Sequence, residues 1–158
     1  MMFTKFGTDS RNVVVSAHEI ASTLEAPTLE AEHLLLAVTR QSATPAHHAV
    51  VEAGLDYDKA RDALDADFEG SLAAVGISLD DFDLTTAAQT PRTPRLGTSA
   101  KLALRRSAKF ADVRGDRRIT PGHILLGVLS AATGTVPRAL HRAQIDRAEL
   151  TQRVTAAL

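Results

Sequence analysis

The chain has 158 residues, a formal net charge of −1, 44% hydrophobic but only 4% aromatic residues, and neither Cys nor Trp. That length suits one globular domain or two very small ones, and the missing Cys excludes a disulfide scaffold, a thiolate nucleophile and a Cys-based zinc site. No apolar run approaches the ~20 residues needed to cross a bilayer, no secretory segment follows the initial Met, and no Walker-type phosphate loop occurs; the expectation is a soluble, cytoplasmic chain that does not itself hydrolyse ATP.

Helix signals come first in chain order. Asp9 or Ser10 can cap a helix running to about Leu24, whose apolar stripe is Val13, Val14, Ala17, Ile20, Ala21 and Leu24, at the i, i+3, i+4, i+7 spacing of an amphipathic helix. Pro27 stops it, and Thr28 can cap a second helix carrying Leu29, His33, Leu36, Ala37 and Arg40, with Glu30 and Glu32 favouring the helix dipole in its first turn. Pro45 opens a short third helix ending before Gly54, and Asp56 caps a fourth that reaches Phe68. Residues 69–94 then form an insert: a short helix around Leu72 to Val75, a turn at Gly76, a helical stub to Phe82, and a polar linker from Thr85 to Pro94 whose prolines forbid a helix interior. Ser99 caps a helix through about Val113, Thr120-Pro121 opens another from His123 to Ala132, Pro137 opens a third, and Asp146 caps the last.

The chain also repeats itself. At an offset of 90 residues Gly7-Thr8 falls on Gly97-Thr98, His33 on His123, Leu35-Leu36 on Leu125-Leu126, Val38 on Val128, and Asp56 on Asp146, without a gap. Ungapped register over some sixty residues is an internal duplication. The predicted fold class is therefore all-α: two tandem four-helix repeats related by a pseudo-two-fold axis, residues 1–68 and 95–158, with a helical insert and Pro-containing linker at 69–94 between them.

Charge divides along the same line. Residues 1–84 hold 5 Lys/Arg against 15 Asp/Glu, and residues 85–158 hold 13 against 4. Such a split means either two halves that face and steady each other or a basic half that meets an anionic partner.

The segments Glu32-His33-Leu34-Leu35-Leu36-Ala37-Val38 and His123-Ile124-Leu125-Leu126-Gly127-Val128-Leu129, with the opening Met2-Phe3-Thr4-Lys5-Phe6, with Val13 to Ala17, and with Val50-Val51-Glu52-Ala53-Gly54-Leu55, resemble the amino-terminal double-repeat domain of ClpC- and ClpA-type unfoldases over nearly the whole chain. Because the chain ends where the ATPase modules of that family would begin, it looks like a stand-alone protein, with an inter-repeat segment longer than the family's through Leu72 to Phe82. The resemblance implies a groove between the repeats that binds substrate segments, adaptor proteins or cyclic peptides. Its matching positions are Phe3, Val14, Val15, Leu96 and Lys101, with Leu96 where the family often has an aromatic and Arg105 where it has an acid. It also implies a phospho-arginine site at Glu32, through a carboxylate–guanidinium fork; the second repeat has Gly122 there and no carboxylate. The implied partners are peptide or protein ligands, including Clp components or their clients.

The residues themselves point to no enzyme, metal or other cofactor. His33 and His123 read as core or cap histidines satisfied by a backbone carbonyl. His47-His48 are adjacent rather than i, i+4, and His18-Glu19 lacks a second His. Asp62 with Asp65 and Asp80 with Asp81 read as solvated faces, and Ser10, Ser16 and Ser99 have no base at a recognisable spacing. The alternative function is a nucleic-acid-binding regulator: Arg105, Arg106, Lys109, Arg114, Arg117 and Arg118 precede the helix opened by Thr120-Pro121, like a helix-turn-helix. Against it, that helix is too apolar to read base edges.

Overall fold

Periodic apolar positions become buried stripes on eight helices of the computed structural model, which describes residues 2–78 and 93–158 and, for Met2 and Phe3, the backbone alone. After a single 3₁₀ turn at Met2–Lys5 come α1 (Thr8–Thr23), a two-residue strand β1 (Thr28–Leu29), α2 (Ala31–Arg40), α3 (Pro45–Glu52) and α4 (Tyr57–Ala74). The second series is β2 (Arg95–Leu96), α5 (Thr98–Arg114), α6 (Pro121–Leu129), α7 (Thr135–Arg142) and α8 (Arg147–Ala156). Subtracting 90 puts the first residues of α5, α6, α7 and α8 on the first residues of α1, α2, α3 and α4.

The centre is α2 against α6. Every residue of α6 and eight of the ten in α2 are buried, and a helix apolar all round belongs inside a fold. α1 covers α2 and α5 covers α6, while α4 packs on α7 and α3 on α8, so both outer layers are made by helices of opposite repeats. Gly127 lets α5 and α6 approach closely, since a Cβ there would meet the carbonyl oxygen of Ala103.

Two short parallel pairings clasp the repeats together. Phe6 bridges Ile119, with Gly7 N–H donating to the Ile119 carbonyl at 3.1 Å and Ile119 N–H to that of Lys5 at 2.8 Å. Its pseudo-symmetric mate is β1 beside β2, Leu29 opposite Leu96, with Gly97 N–H donating to the Leu29 carbonyl at 2.8 Å. No strand was legible in the sequence, because two residues carry no period.

Several boundaries differ from the sequence reading, and each has a local cause. α1 starts at Thr8 with Gly7 as its N-cap; Ser10 instead donates to the Ile119 carbonyl across the seam. α5 likewise starts after Gly97, and Ser99 donates to the Glu30 carboxylate and accepts from Ala31 N–H at 2.8 Å. Thr28 lies in β1 and the N-cap of α2 is Glu30. α4 continues through residue 68 to Ala74, so Leu72 to Ala74 form its last turn rather than a separate helix, and Gly76 (φ +78°) ends it in the left-handed region. The boundary expected after residue 68 thus falls inside a helix. α6 stops at Leu129 instead of Ala132, and α7 begins two residues before Pro137. The expected N-caps Asp56 and Asp146 accept backbone N–H bonds as read, from Lys59 and from Ala148 and Glu149, at 2.8 to 3.1 Å. The stub beyond Ser78, Asp80-Asp81 and most of the linker lie outside the described residues.

Candidate functional site

The duplicated histidines are structural. His33 and His123 each stand at the third position of their helix, where Nδ1 accepts the N-cap N–H, from Glu30 at 2.9 Å and from Thr120 at 3.0 Å. The partner is therefore a backbone donor, not the carbonyl that the sequence reading expected. Accepting at Nδ1 leaves the proton on Nε2, which for His123 faces Asp116 at 2.9 Å. Hydrogen bonds from Arg114 and then His123 hold the Asp116 carboxyl below its usual range. Burial pushes the His33 imidazole below the 6.5 of a free ring, Glu30 opposing and Arg61 reinforcing.

That shift fixes a sign. The unfolded chain takes up a proton at His33 near pH 6.5 while the folded chain still refuses it, so stability falls as pH drops below about 6.5. It stops falling from this source once the folded ring protonates as well. In urea melts across this window His33→Asn, which keeps an acceptor but cannot titrate, should show a shallower loss than the unsubstituted chain; an identical slope removes His33 as a contributor.

Two clefts follow from the duplication, and they have diverged. The first, about 410 Å³, opens where the start of α2 (Glu32, His33) meets α4 (Arg61, Leu64, Asp67, Phe68) and the start of α7 (Thr135, Arg138). The second, about 330 Å³, holds the pseudo-equivalents Gly122, Val154, Ala157, Leu158 and Pro45, together with Gly7 to Ser10 and Ile119. Charge in the first is replaced by apolar groups in the second: Asp67 becomes Ala157, Phe68 becomes Leu158 and Glu32 becomes Gly122. A Cβ at Gly122 would lie 2.6 Å from Leu158 Cδ2, so Leu158 already fills the room a longer side chain would need.

The first cleft is built around a buried anion. Asp67 is 2% exposed and accepts a two-point bond from Arg138, Nε to Oδ1 at 3.0 Å and Nη2 to Oδ2 at 3.2 Å, while Arg142 Nε lies 3.6 Å away. Both arginines come from the other repeat. Burial raises the Glu32 carboxyl above its usual range, with Glu30 and Asp67 adding to the rise and Arg138 opposing it. Among the described residues no basic side chain comes within 4.0 Å of the Glu32 carboxylate. Glu30 goes the other way: burial would raise it, but bonds from Ser99 and Thr28 prevail and hold it low. The Asp67 cluster had a signal in the sequence, since Asp67 follows Ala60, Ala63 and Leu64 on the buried stripe of α4. The surrounding acids Asp62, Asp65 and Glu69 disguised it as a solvated face.

Of the positions expected to line an inter-repeat groove, four have described side chains. Leu96 lies at the seam in β2, partly buried, and Lys101 is exposed one turn into α5. Val14 is partly buried against the core and Val15 is 57% exposed, both on α1. Val14, Val15, Leu96 and Lys101 line neither of the two clefts, and the Phe3 side chain lies outside the described residues.

The described residues hold no group of three or more His, Cys, Asp or Glu side chains placed to bind a metal, and no helix long and apolar enough to cross a membrane.

Comparison with known proteins fits this architecture. The fold matches the N-terminal domain of the chaperone ClpD from Arabidopsis thaliana at 19% identity, covering 99% of this chain and 96% of that one, with a TM-score of 0.75. The Hsp104 N-terminal domain from Candida albicans follows at 16% identity, 95% and 89% coverage and a TM-score of 0.66. A ClpV N-domain solved in complex with a VipB peptide matches at 14% identity, 99% and 88% coverage and a TM-score of 0.63. No curated protein matches at the level of sequence. The family model of the Clp repeat (R) N-terminal domain matches twice, over residues 5–93 and 95–158. Those two spans divide the chain where the pseudo-two-fold axis divides it, and the chain belongs to the Clp repeat N-terminal domain family.

Proposed function

We propose that the chain is a non-catalytic, cytoplasmic module that binds peptide segments of other proteins, modulating substrate or adaptor recognition in Clp-type proteolysis or sequestering peptide ligands. The observation that carries this reading is the family match over both repeats; the ClpV N-domain of the same fold, described with a VipB peptide, supports it. Linear or cyclic peptides are the ligand class, and the groove of Phe3, Val14, Val15, Leu96 and Lys101 is the proposed seat. A few buried side chains dominate such interfaces, and Val15 has apolar surface to offer because it is already half in water. Glu32 is the proposed seat of a phospho-arginine guanidinium: among the described residues no basic side chain lies within 4.0 Å of its carboxylate, which sits in the charged cleft, whereas the second cleft offers Gly122 and Leu158.

The nucleic-acid alternative is left with the cations of α5 and the turn after it. α6, which would have to enter a groove, is buried along its whole length.

Fluorescein-labelled casein is a suitable unfolded probe. Val15→Asp should weaken its binding, read by fluorescence anisotropy, about ten-fold or more, without changing the melting temperature. Phospho-arginine should bind the unsubstituted chain in a separate calorimetric titration and lose that binding in Glu32→Gln. Unchanged affinity in Val15→Asp removes the α1 groove, and no binding by the unsubstituted chain removes the reading.

A further inference from the structure

α4 and α5 turn outward faces of opposite sign. Along α4, Asp58, Asp62, Asp65 and Glu69 recur at i, i+4, i+7 and i+11, all exposed. That spacing is one helical stripe. Phe68 beside it is 57% exposed, and Val75, just past the helix end, is largely in water too. Along α5, Leu102, Arg106, Lys109 and Val113 form the corresponding stripe, flanked by Arg105 and Phe110. Val113 is 78% exposed and only Arg106 is partly buried.

These charges are not used within the described molecule. Lys5 pairs with Asp112 at 2.8 Å and Arg114 with Asp116 at 3.0 Å, at the edges of α5. Among the described residues Arg105, Arg106 and Lys109 have no carboxylate within 4.0 Å, and on α4 only Asp65 of the acidic stripe is paired, with Arg61 of its own helix at 3.6 Å. α4 packs inward on α2 and α7 while α5 packs inward on α6 and α2, which leaves both stripes facing away from the core. The cross-repeat pairs at Asp67 therefore account for only part of the charge split between the two halves.

We propose that the partner of the basic, apolar face of α5 is the acidic, apolar face of α4 on a second copy of this chain. The two helices have 17 and 18 residues, each about 25 Å long, so the stripes match in reach as well as in sign. Both mix charges with large apolar side chains, the composition of a contact with an apolar centre and a polar rim. Each copy carries one face of each kind. Two copies can satisfy both faces by a two-fold arrangement, or successive copies can join head to tail into a ring or filament. Exposed ion pairs are individually weak and screened by salt, so the association is a salt-sensitive one.

The test is the mass of the intact chain by sedimentation velocity, from about 5 to about 500 μM, at roughly 20 mM and roughly 500 mM salt. At low salt the mass should rise with concentration above the 16.8 kDa of one chain and return towards it at high salt. Arg105→Glu with Lys109→Glu should stay at one chain, as should Asp62→Lys with Glu69→Lys. All four positions are exposed, and far-UV circular dichroism checks that each variant folds. Mixed in equal amounts, the two variants should recover the assembly, because the first then has two acidic faces and the second two basic ones. A single-chain mass under every condition overturns the proposal. So does an assembly that either variant retains, or a mixture that stays unassembled. A labelled DNA duplex that binds the unsubstituted chain, loses binding to Arg105→Glu with Lys109→Glu and leaves the mass unaltered assigns the α5 face to nucleic acid and overturns it too.

Discussion

Replacing Arg138 and Arg142 together by methionine should destabilise the fold by about 3–5 kcal/mol, whereas replacing Asp67 by leucine should cost much less or nothing. The asymmetry follows from where the charges sit. Asp67 is 2% exposed on α4, while Arg138 and Arg142 reach it from α7 with roughly half of each side chain in water. Remove the cations and a desolvated carboxylate is left without a counter-charge. Remove the carboxylate and the two guanidinium groups still have solvent, while leucine suits a position beside Ala60, Ala63 and Leu64. Adding Asp67→Leu to the double arginine variant should therefore recover most of the lost stability, a non-additivity that urea denaturation can measure. On thermal melting the double variant should lie roughly 6–20 °C lower. If the arginine pair costs no more than Asp67→Leu, the cluster is a surface ion pair and does not join the repeats. Asp67 and Arg138 also line the cleft that holds Glu32, so a loss of this clamp alone should also loosen any ligand seated there.

How much of this was legible beforehand depends on the range of the interaction. The eight helices, the caps at Asp56 and Asp146 and the duplication at an offset of 90 are written in local spacing and were read from it. Ser10, Ser99 and Thr28 look like caps in the sequence because their hydroxyls suit that role, yet in the fold they serve other partners: Ser10 reaches the Ile119 carbonyl, and Ser99 and Thr28 bond the Glu30 carboxylate. The partners of the two serines lie 109 and 69 residues away, and no local pattern announces them. α4 overran its expected end for a simpler reason: no proline lies between Phe68 and Ala74, and a helix tolerates Gly70 at a cost of about 1 kcal/mol. The divergence of the two clefts was half visible as Glu32 against Gly122; that Leu158 folds back over Gly122 was not.

Phe6→Ala should cost about 3–5 kcal/mol, and Leu96→Ala, its pseudo-symmetric counterpart, distinctly less. Both residues sit in a short parallel pairing that carries one repeat's leading segment onto the other's loop, Phe6 beside Ile119 and Leu96 beside Leu29. Equivalence of backbone does not make them equal in energy. Phe6 is 1% exposed and contributes a full aromatic to the core, in a chain with few aromatics, whereas Leu96 is only partly buried. Deleting the ring leaves a cavity between two repeats that cannot collapse without moving the Gly7 and Lys5 hydrogen bonds to Ile119; deleting the Leu96 side chain leaves a dent that water can fill. Denaturation midpoints of the two variants read the difference directly. The comparison also bears on binding: with a small stability cost at Leu96, any large loss of peptide affinity in Leu96→Ala belongs to the groove, whereas the same loss in Phe6→Ala would follow from the seam coming apart. Equal costs at the two positions would mean that the two clasps have not diverged as the two clefts have.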